Sequence, residues 1–272
     1  MIKDITLGQY YPYDSPMHRL DPRMKLILVI LLIVNIFVAQ TPAAYLCAAA
    51  LVFAAVALSH IPFKLIIKGL KPILFIVIIT TLLNLFYSGG EPIWSFWIIA
   101  VSKEGIWRTV TMLVRVVLLV IGTSLLTYTT SPIMLTDGLE RLLSPLKRFK
   151  VPVHEFSLMM TIALRFIPTL IEEVDKISAA QKARGSDLET GNLIQRAKAL
   201  VPILVPLFVS SFRRADELAV AMECRCYRGG TGRTRLRRYQ MHGRDAVAAA
   251  VAVLDLAGII LCNIFVTWGM LV

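Results

Sequence analysis

The sequence predicts an all-α fold: a polytopic membrane helical bundle of about five spans, with a helical cytoplasmic domain inserted before the last span. Three observations lead to this prediction. Of the 272 residues, 57% are hydrophobic and only 17% are charged, which leaves too little polar surface to cover a soluble globule. Apolar stretches that could cross a hydrocarbon core of about 30 Å recur along the chain. The long segment before the last stretch has the apolar period of helices.

Four spans are predicted in an N-terminal membrane region, residues 1–128. Lys25 and Lys64 enclose 38 residues without Asp, Glu, Lys or Arg, and as a helix this stretch would measure about 57 Å, enough for two spans. The apolar, aromatic stretch 92–101 is too short to cross and is typical of the membrane interface. We place the spans at about 26–41, 43–59, 72–87 and 106–128, and the fifth in a C-terminal membrane region, residues 246–272.

Basic residues place the N-terminus on the cytoplasmic side, because Lys and Arg collect in cytoplasmic loops. The turn after span one is uncharged, whereas both neighbouring connections are basic. By parity, residues 129–245 form a cytoplasmic region, which holds 19 of the 29 Lys and Arg. We therefore predict a multi-pass cell-membrane protein that meets membrane lipid, and the basic excess reflects topology and not a nucleic-acid partner. The basic connections carry Lys3, Arg19, Arg23 and Lys25 before span one, and Lys64, Lys68 and Lys71 after span two.

Two helices of the cytoplasmic region resemble each other, one from about residue 154 to 183 and one from about 206 to 226. Aligning Arg184 with Arg225 also aligns Asp175 with Asp216. Each helix ends with an Arg between two small residues, which is compatible with the helix dipole and would let the helix end enter a groove. The pattern indicates two docking sites, although two ordinary cationic helix ends would look the same. The two triplets are Ala183-Arg184-Gly185 and Cys224-Arg225-Cys226.

Two charges lie deep in predicted spans, Arg115 in the fourth and Asp255 in the fifth. Both lie about 14–15 Å from a membrane face, so a buried ion pair is one hypothesis. The alternative is that Arg115 extends toward the interface or a bound subunit while Asp255 forms a local hydrogen bond.

Motifs for independent chemistry are missing from the sequence. The glycine-rich string 229–234 lacks the Lys and the spacing of a nucleotide-binding P-loop. Cys224 and Cys226 have no second Cys or His pair at zinc spacing. No nucleophile, base and orienting residue stand together. We expect no metal site, no cofactor bound by this chain and no enzymatic activity of the chain alone.

Four strings, in this order along the chain, resemble the transmembrane T-component of energy-coupling factor transporters. They are HRLDPR at 18–23, ALRFIPTLIEE at 163–173, QKARG at 181–185 and AMECRCYRGG at 221–230. The last string is closer to the shared, vitamin-type T-component than to the cobalt or nickel type. One departure is Cys224, where the family usually has Ala; it is still small.

The resemblance implies a non-catalytic scaffold and energy-coupling subunit of a vitamin or micronutrient uptake transporter. Its partners would be two ATP-binding-cassette ATPases, which bind the ATP, and a substrate-binding membrane S-component. Arg184 and Arg225 would be the contacts that transmit ATPase movement. The alternative is a self-sufficient secondary transporter, which would be expected to carry inverted repeats in its spans. Here the internal similarity lies in the cytoplasmic helices instead.

Overall fold

The computed structural model describes residues 10–87, 92–96, 99–186, 192–229 and 239–269. Helices dominate these residues, so the all-α fold class is confirmed, and one short antiparallel hairpin within the stretch 92–102 is added to it. Ile, Trp and Phe favour extended backbone in a segment too short to span. The elements are α1 (Pro22–Val38), α2 (Pro42–Ser59), α3 (Phe63–Tyr87), β1 (Pro92–Phe96), β2 (Ile99–Ser102), α4 (Lys103–Thr129), α5 (Pro132–Leu142), a 3₁₀ helix (Ser144–Phe149), α6 (Val153–Ala183), α7 (Leu193–Cys224) and α8 (Gly243–Gly269).

Local signals set the first helix boundaries. The Asp21 side chain caps α1 by accepting from the Arg23 amide, and Pro22 occupies the first turn, where its missing N–H is no loss. Thr41 caps α2 in the same way, with its hydroxyl accepting from the Ala44 amide at 3.3 Å. The Thr41 cap explains the turn that the sequence predicts between spans one and two.

The chain divides into two compact units. The membrane unit contains the described residues of 10–138 and 239–269, and its core forms where α1, α2, α4 and α8 pack together. Ala44 and Ala48 are almost completely buried on α2, and small residues let neighbouring helices approach closely. The core also contains Ile36, Val52, Leu118 and Ile259.

Hydrogen bonds within the membrane unit connect helix ends that the predicted topology places on the same side of the membrane. At one end, Lys25 at the start of α1 donates to the Thr129 carbonyl at the end of α4, 2.9 Å away. At the other end, Asn263 of α8 donates to the Val38 carbonyl at the end of α1, 2.7 Å away. The start of α1 and the end of α4 therefore lie on the same side of the bundle.

Three helices in the described part of the chain are long and apolar enough to cross a membrane: Pro42–Ser59, Gly105–Thr129 and Gly243–Phe265. They support a membrane location, and the count of five spans stays a prediction. The predicted start of the third span at residue 72 differs from the structure, where α3 begins at Phe63. The basic residues predicted in a loop therefore lie on the helix, spaced by four and three residues, so that all of them point to one exposed face. They are Lys64, Lys68 and Lys71.

The second unit, called here the α6–α7 unit, contains the described residues of 139–229. The structure confirms the predicted helix from residue 154 within α6. It corrects the second helix, predicted from 206, because α7 begins at Leu193 and includes Pro202 and Pro206. A proline in a helix lacks the N–H that would donate to the carbonyl four residues earlier. Pro206 therefore leaves the Pro202 carbonyl without its helical bond, and the Gln181 side chain donates to this carbonyl at 3.2 Å. Packing against α6 thus helps the helix continue through the prolines.

Candidate functional site

The end of α6 is a Schellman motif built around Arg184. Arg184 is the last residue with near-helical backbone, and Gly185 follows with φ at +82°. The Gly185 amide donates to the Lys182 carbonyl and the Ser186 amide donates to the Gln181 carbonyl, both at 3.0 Å. This pair of bonds satisfies carbonyls that a helix end would otherwise leave free.

The end of α7 has the same backbone around Arg225. Cys226 takes the left-handed position with φ at +57°. Its amide donates to the Glu223 carbonyl at 2.8 Å, and the Tyr227 amide donates to the Met222 carbonyl at 3.0 Å. The alignment of Arg184 with Arg225, made from the sequence, therefore extends to the cap geometry, with Cys226 in the position of Gly185.

Both Arg triplets lie on the surface. Among the residues that the structure describes, neither the Arg184 nor the Arg225 guanidinium has a hydrogen-bond or ion-pair partner. Each carries five N–H donors in a planar fork suited to carboxylates. The two ends are therefore free to bind carbonyl or carboxylate groups of another protein. The exposed residues are Ala183, Arg184, Gly185, Cys224, Arg225 and Cys226, and both cysteines are free thiols.

The two triplets lie at opposite ends of an antiparallel helix pair. Glu173 of α6 accepts hydrogen bonds from the Ser210 hydroxyl and the Arg214 guanidinium of α7, whereas Gln181, farther along α6, meets Pro202, farther back on α7. The residue numbers run in opposite directions, so the helices cross antiparallel. The Arg225 end lies beside the first half of α6. Residue 165, in that half, lies about 28 Å along α6 from Arg184.

A groove of about 630 Å³ lies at the Arg225 end of this pair. Three guanidinium-bearing residues line it: Arg165 of α6, and Arg225 and Arg228 at the end of α7. Leu158 and Ile162 give it an apolar wall. Sequence reasoning did not assign Arg165 to the site, because it lies 60 residues from Arg225 and no local signal links the two. The antiparallel crossing brings them together.

An exposed apolar stripe runs along α7. Val201, Val205, Phe208 and Phe212 follow spacings of four, three and four residues, so they share one face of the helix. Their exposure ranges from 50% for Val201 to 69% for Phe212. Aligned exposed apolar residues of this kind indicate a surface that a partner or a lipid phase covers.

The structure does not bring the two intramembrane charges together. Arg115 donates to the Tyr45 hydroxyl at 2.7 Å, and its guanidinium lies 5.6 Å from the centre of the Phe37 ring. Asp255 accepts from the Asn35 side-chain amide at 2.9 Å. Each charge is thus stabilised by neutral polar or aromatic neighbours, and the hypothesis of a direct pair does not describe this arrangement. The alternative predicted for Asp255 was a local hydrogen bond. The structure does give Asp255 a hydrogen bond to a neutral group, but the partner, Asn35, lies on another helix.

Comparison with known proteins identifies close relatives over nearly the whole chain. Residues 14–236 match the model of the CbiQ family, described as "Cobalt transport protein". The chain is 53% identical over 271 residues to the "Energy-coupling factor transporter transmembrane protein EcfT" of Clostridium kluyveri, covering 99% of this chain and 100% of the relative. The protein of the same name from Bacillus subtilis is 46% identical over 261 residues, covering 96% of this chain and 98% of the relative.

Proposed function

The chain belongs to the family of EcfT transmembrane proteins of energy-coupling factor transporters, and we propose that it transmits the movements of two partner ATPases to a substrate-binding membrane subunit. The observation that carries this proposal is the pair of matched helix ends. Arg184 and Arg225 sit in the same Schellman geometry, both exposed and both without a partner among the described residues. Two equal docking ends suit two similar partner subunits.

The antiparallel crossing gives the two ends a mechanical connection. Glu173 of α6 binds both Ser210 and Arg214 of α7, so a displacement of one helix acts on the other where they cross. If one ATPase subunit holds each Arg end, closure of the ATPases on ATP would change the angle between α6 and α7. A two-helix element of this kind can convert a small movement into a rotation.

ATP is bound by the partner ATPases in this proposal, and the chain itself binds no cofactor and catalyses no reaction. Its glycine-rich string at 229–234 lacks the P-loop Lys. Its contribution is positional: it holds the ATPases and the membrane subunit in one assembly.

The exposed stripe of α7 is the surface proposed for the substrate-binding membrane subunit. Val205, Phe208 and Phe212 offer apolar area, and such area binds a hydrophobic membrane protein by van der Waals packing and exclusion of water. The cargo proposed is a vitamin or another micronutrient, because the string 221–230 is closer to the vitamin-type T-component. Its identity would be decided by the other subunit.

The test is reversal of charge at each helix end, in the complete transporter reconstituted into liposomes. Arg184→Glu and Arg225→Glu should each abolish ATP-driven uptake, because the new carboxylates repel the acidic acceptor groups of the ATPases. Membrane insertion should be unchanged. Arg213→Glu is the matched control, since Arg213 is an exposed α7 residue outside both triplets, and it should transport normally.

Unchanged uptake in both Arg184→Glu and Arg225→Glu would contradict the assignment of the docking ends. Copurification separates failed docking from failed transmission, since the ATPases should be lost from the complex in each variant. Uptake by the chain alone, driven by an ion gradient, would contradict the proposal as a whole and favour a secondary transporter.

A further inference from the structure

A groove of about 440 Å³ opens along the membrane unit. Its volume falls within the range of small-molecule binding sites. The wall is apolar and comes from four helices of the membrane unit, α1, α2, α4 and α8. It includes Leu28 and Leu32 of α1, Leu125 of α4, and Val247 and Val251 of α8.

Two cations stand at one end of this groove. Lys25 is 5% exposed, and its ammonium group donates to the carbonyl oxygens of His18 at 3.1 Å and Thr129 at 2.9 Å. An ammonium group has three donors, so one remains. Arg244, at the start of α8, is exposed and also lines the groove. Neither has an ion-pair partner among the described residues.

This combination of cations and apolar wall selects one type of ligand. The Lys25 ammonium hydrogen-bonds only to neutral carbonyls, and the Asp245 carboxylate acts on it from beyond ion-pair distance. An anion that accepts from its remaining donor would therefore stabilise this buried cation further. A small soluble anion would leave the apolar wall uncovered, and an apolar helix would leave the remaining Lys25 donor without an acceptor. An anionic amphiphile satisfies both parts. The charged end is also the one that the Lys and Arg distribution predicts to be cytoplasmic, where anionic lipid is abundant.

We propose that the groove binds one anionic phospholipid, with its phosphate accepting hydrogen bonds from Lys25 and Arg244 and one acyl chain lying against α1, α4 and α8. The lipid would hold together the helices of the membrane unit at their cytoplasmic ends. This site is separate from the Arg184 and Arg225 ends, so it does not depend on the proposed coupling function.

The first experiment fills the groove. The full chain, purified in mild detergent and stripped of lipid, is titrated with dioleoyl phosphatidylglycerol, and bound lipid is counted by native mass spectrometry. Val251→Trp should abolish the tightly bound lipid, because the indole occupies the acyl-chain space. Val253→Trp is the matched control: Val253 lies on the same helix at 52% exposure, close to the 48% of Val251, and does not line the groove.

The second experiment tests the headgroup. Arg244→Gln should weaken phosphatidylglycerol binding about tenfold, the effect expected for loss of a charge-assisted hydrogen bond. Arg213→Gln removes the same charge from exposed α7 and should bind normally. Dioleoyl phosphatidylcholine should bind more weakly than phosphatidylglycerol. Inorganic phosphate should not compete at millimolar concentration, because it cannot use the apolar wall.

Three results would overturn the proposal. The first is equal binding of phosphatidylglycerol and phosphatidylcholine. The second is unchanged lipid binding in Val251→Trp, with the variant keeping the thermal stability of the control. The third is loss of a copurifying membrane subunit in Val251→Trp with lipid unchanged, which would assign the groove to a protein partner.

Discussion

Replacing Cys226 with glycine should make the end of α7 harder to open. Cys226 holds φ at +57° as the left-handed residue of the Schellman motif, where α6 has Gly185 at +82°. A non-glycine residue pays about 1–2 kcal/mol in this region, while glycine gains about 0.5–1 kcal/mol more freedom when the helix end opens. The net stabilisation expected for Cys226→Gly is therefore about 0.5–1 kcal/mol.

Amide hydrogen exchange measures this local opening. The Tyr227 amide donates to the Met222 carbonyl only while the motif is closed, so its exchange should slow about two- to fivefold in Cys226→Gly. Gly185→Ala should have the opposite effect at Ser186, about two- to fivefold faster. A Cβ at Gly185 would meet no atom within 4 Å, so this change isolates the backbone effect.

Cys226→Ala is the control, because alanine keeps the left-handed penalty and removes only the thiol. Its Tyr227 amide should exchange as in the natural protein. If Cys226→Ala slowed exchange as much as Cys226→Gly, the thiol and not the backbone would be responsible, and the reasoning would be refuted.

Three further predictions concern stability, each measured by unfolding of the full chain in detergent. Glu173→Gln should cost about 1–2 kcal/mol by weakening the half-buried bonds between α6 and α7, whereas Glu217→Gln, in an exposed pair, should cost under about 0.5 kcal/mol. Burial lowers the pKa of His18 below its usual 6.5, so as the pH falls the unfolded chain binds a proton before the folded chain does. The contribution of His18 to stability should therefore be complete above pH 6.5 and decrease below it, and His18→Gln should remove this decrease. Gly138→Ala should cost about 1–3 kcal/mol, because a Cβ would lie 3.0 Å from the Pro22 Cβ; an unchanged midpoint would show that α5 shifts freely.

Much of the fold can be predicted from short stretches of the sequence. Long apolar stretches and their flanking charges predict the helices of the membrane unit, because lipid forces the backbone to satisfy its own hydrogen bonds. The two Arg triplets were found from spacing alone, since a helix end and its cap depend on neighbouring residues. The family resemblance was based on four strings, two of which contain these triplets.

The sequence did not predict the helix starts that depend on tertiary packing. The sequence analysis predicted a helix beginning near 206, but α7 begins at Leu193 and continues through Pro202 and Pro206. Proline destabilises a helix locally, and only the tertiary structure shows that contact with α6 offsets this destabilisation. The start of α3 at Phe63 was missed for a related reason: Lys64 reads as a loop residue, although on an exposed helix face its ammonium reaches polar surroundings.

The sequence by itself determined a membrane protein of the energy-coupling factor family with two related helices that end in Arg and are predicted to be cytoplasmic. The tertiary structure alone decided which distant residues meet: Arg165 beside Arg225, Tyr45 on Arg115, and Lys25 at the mouth of an apolar groove. Hydrophobic period and capping act over a few residues, so a single sequence contains them. Contacts across 60 or more residues depend on how whole helices cross, which no local pattern specifies.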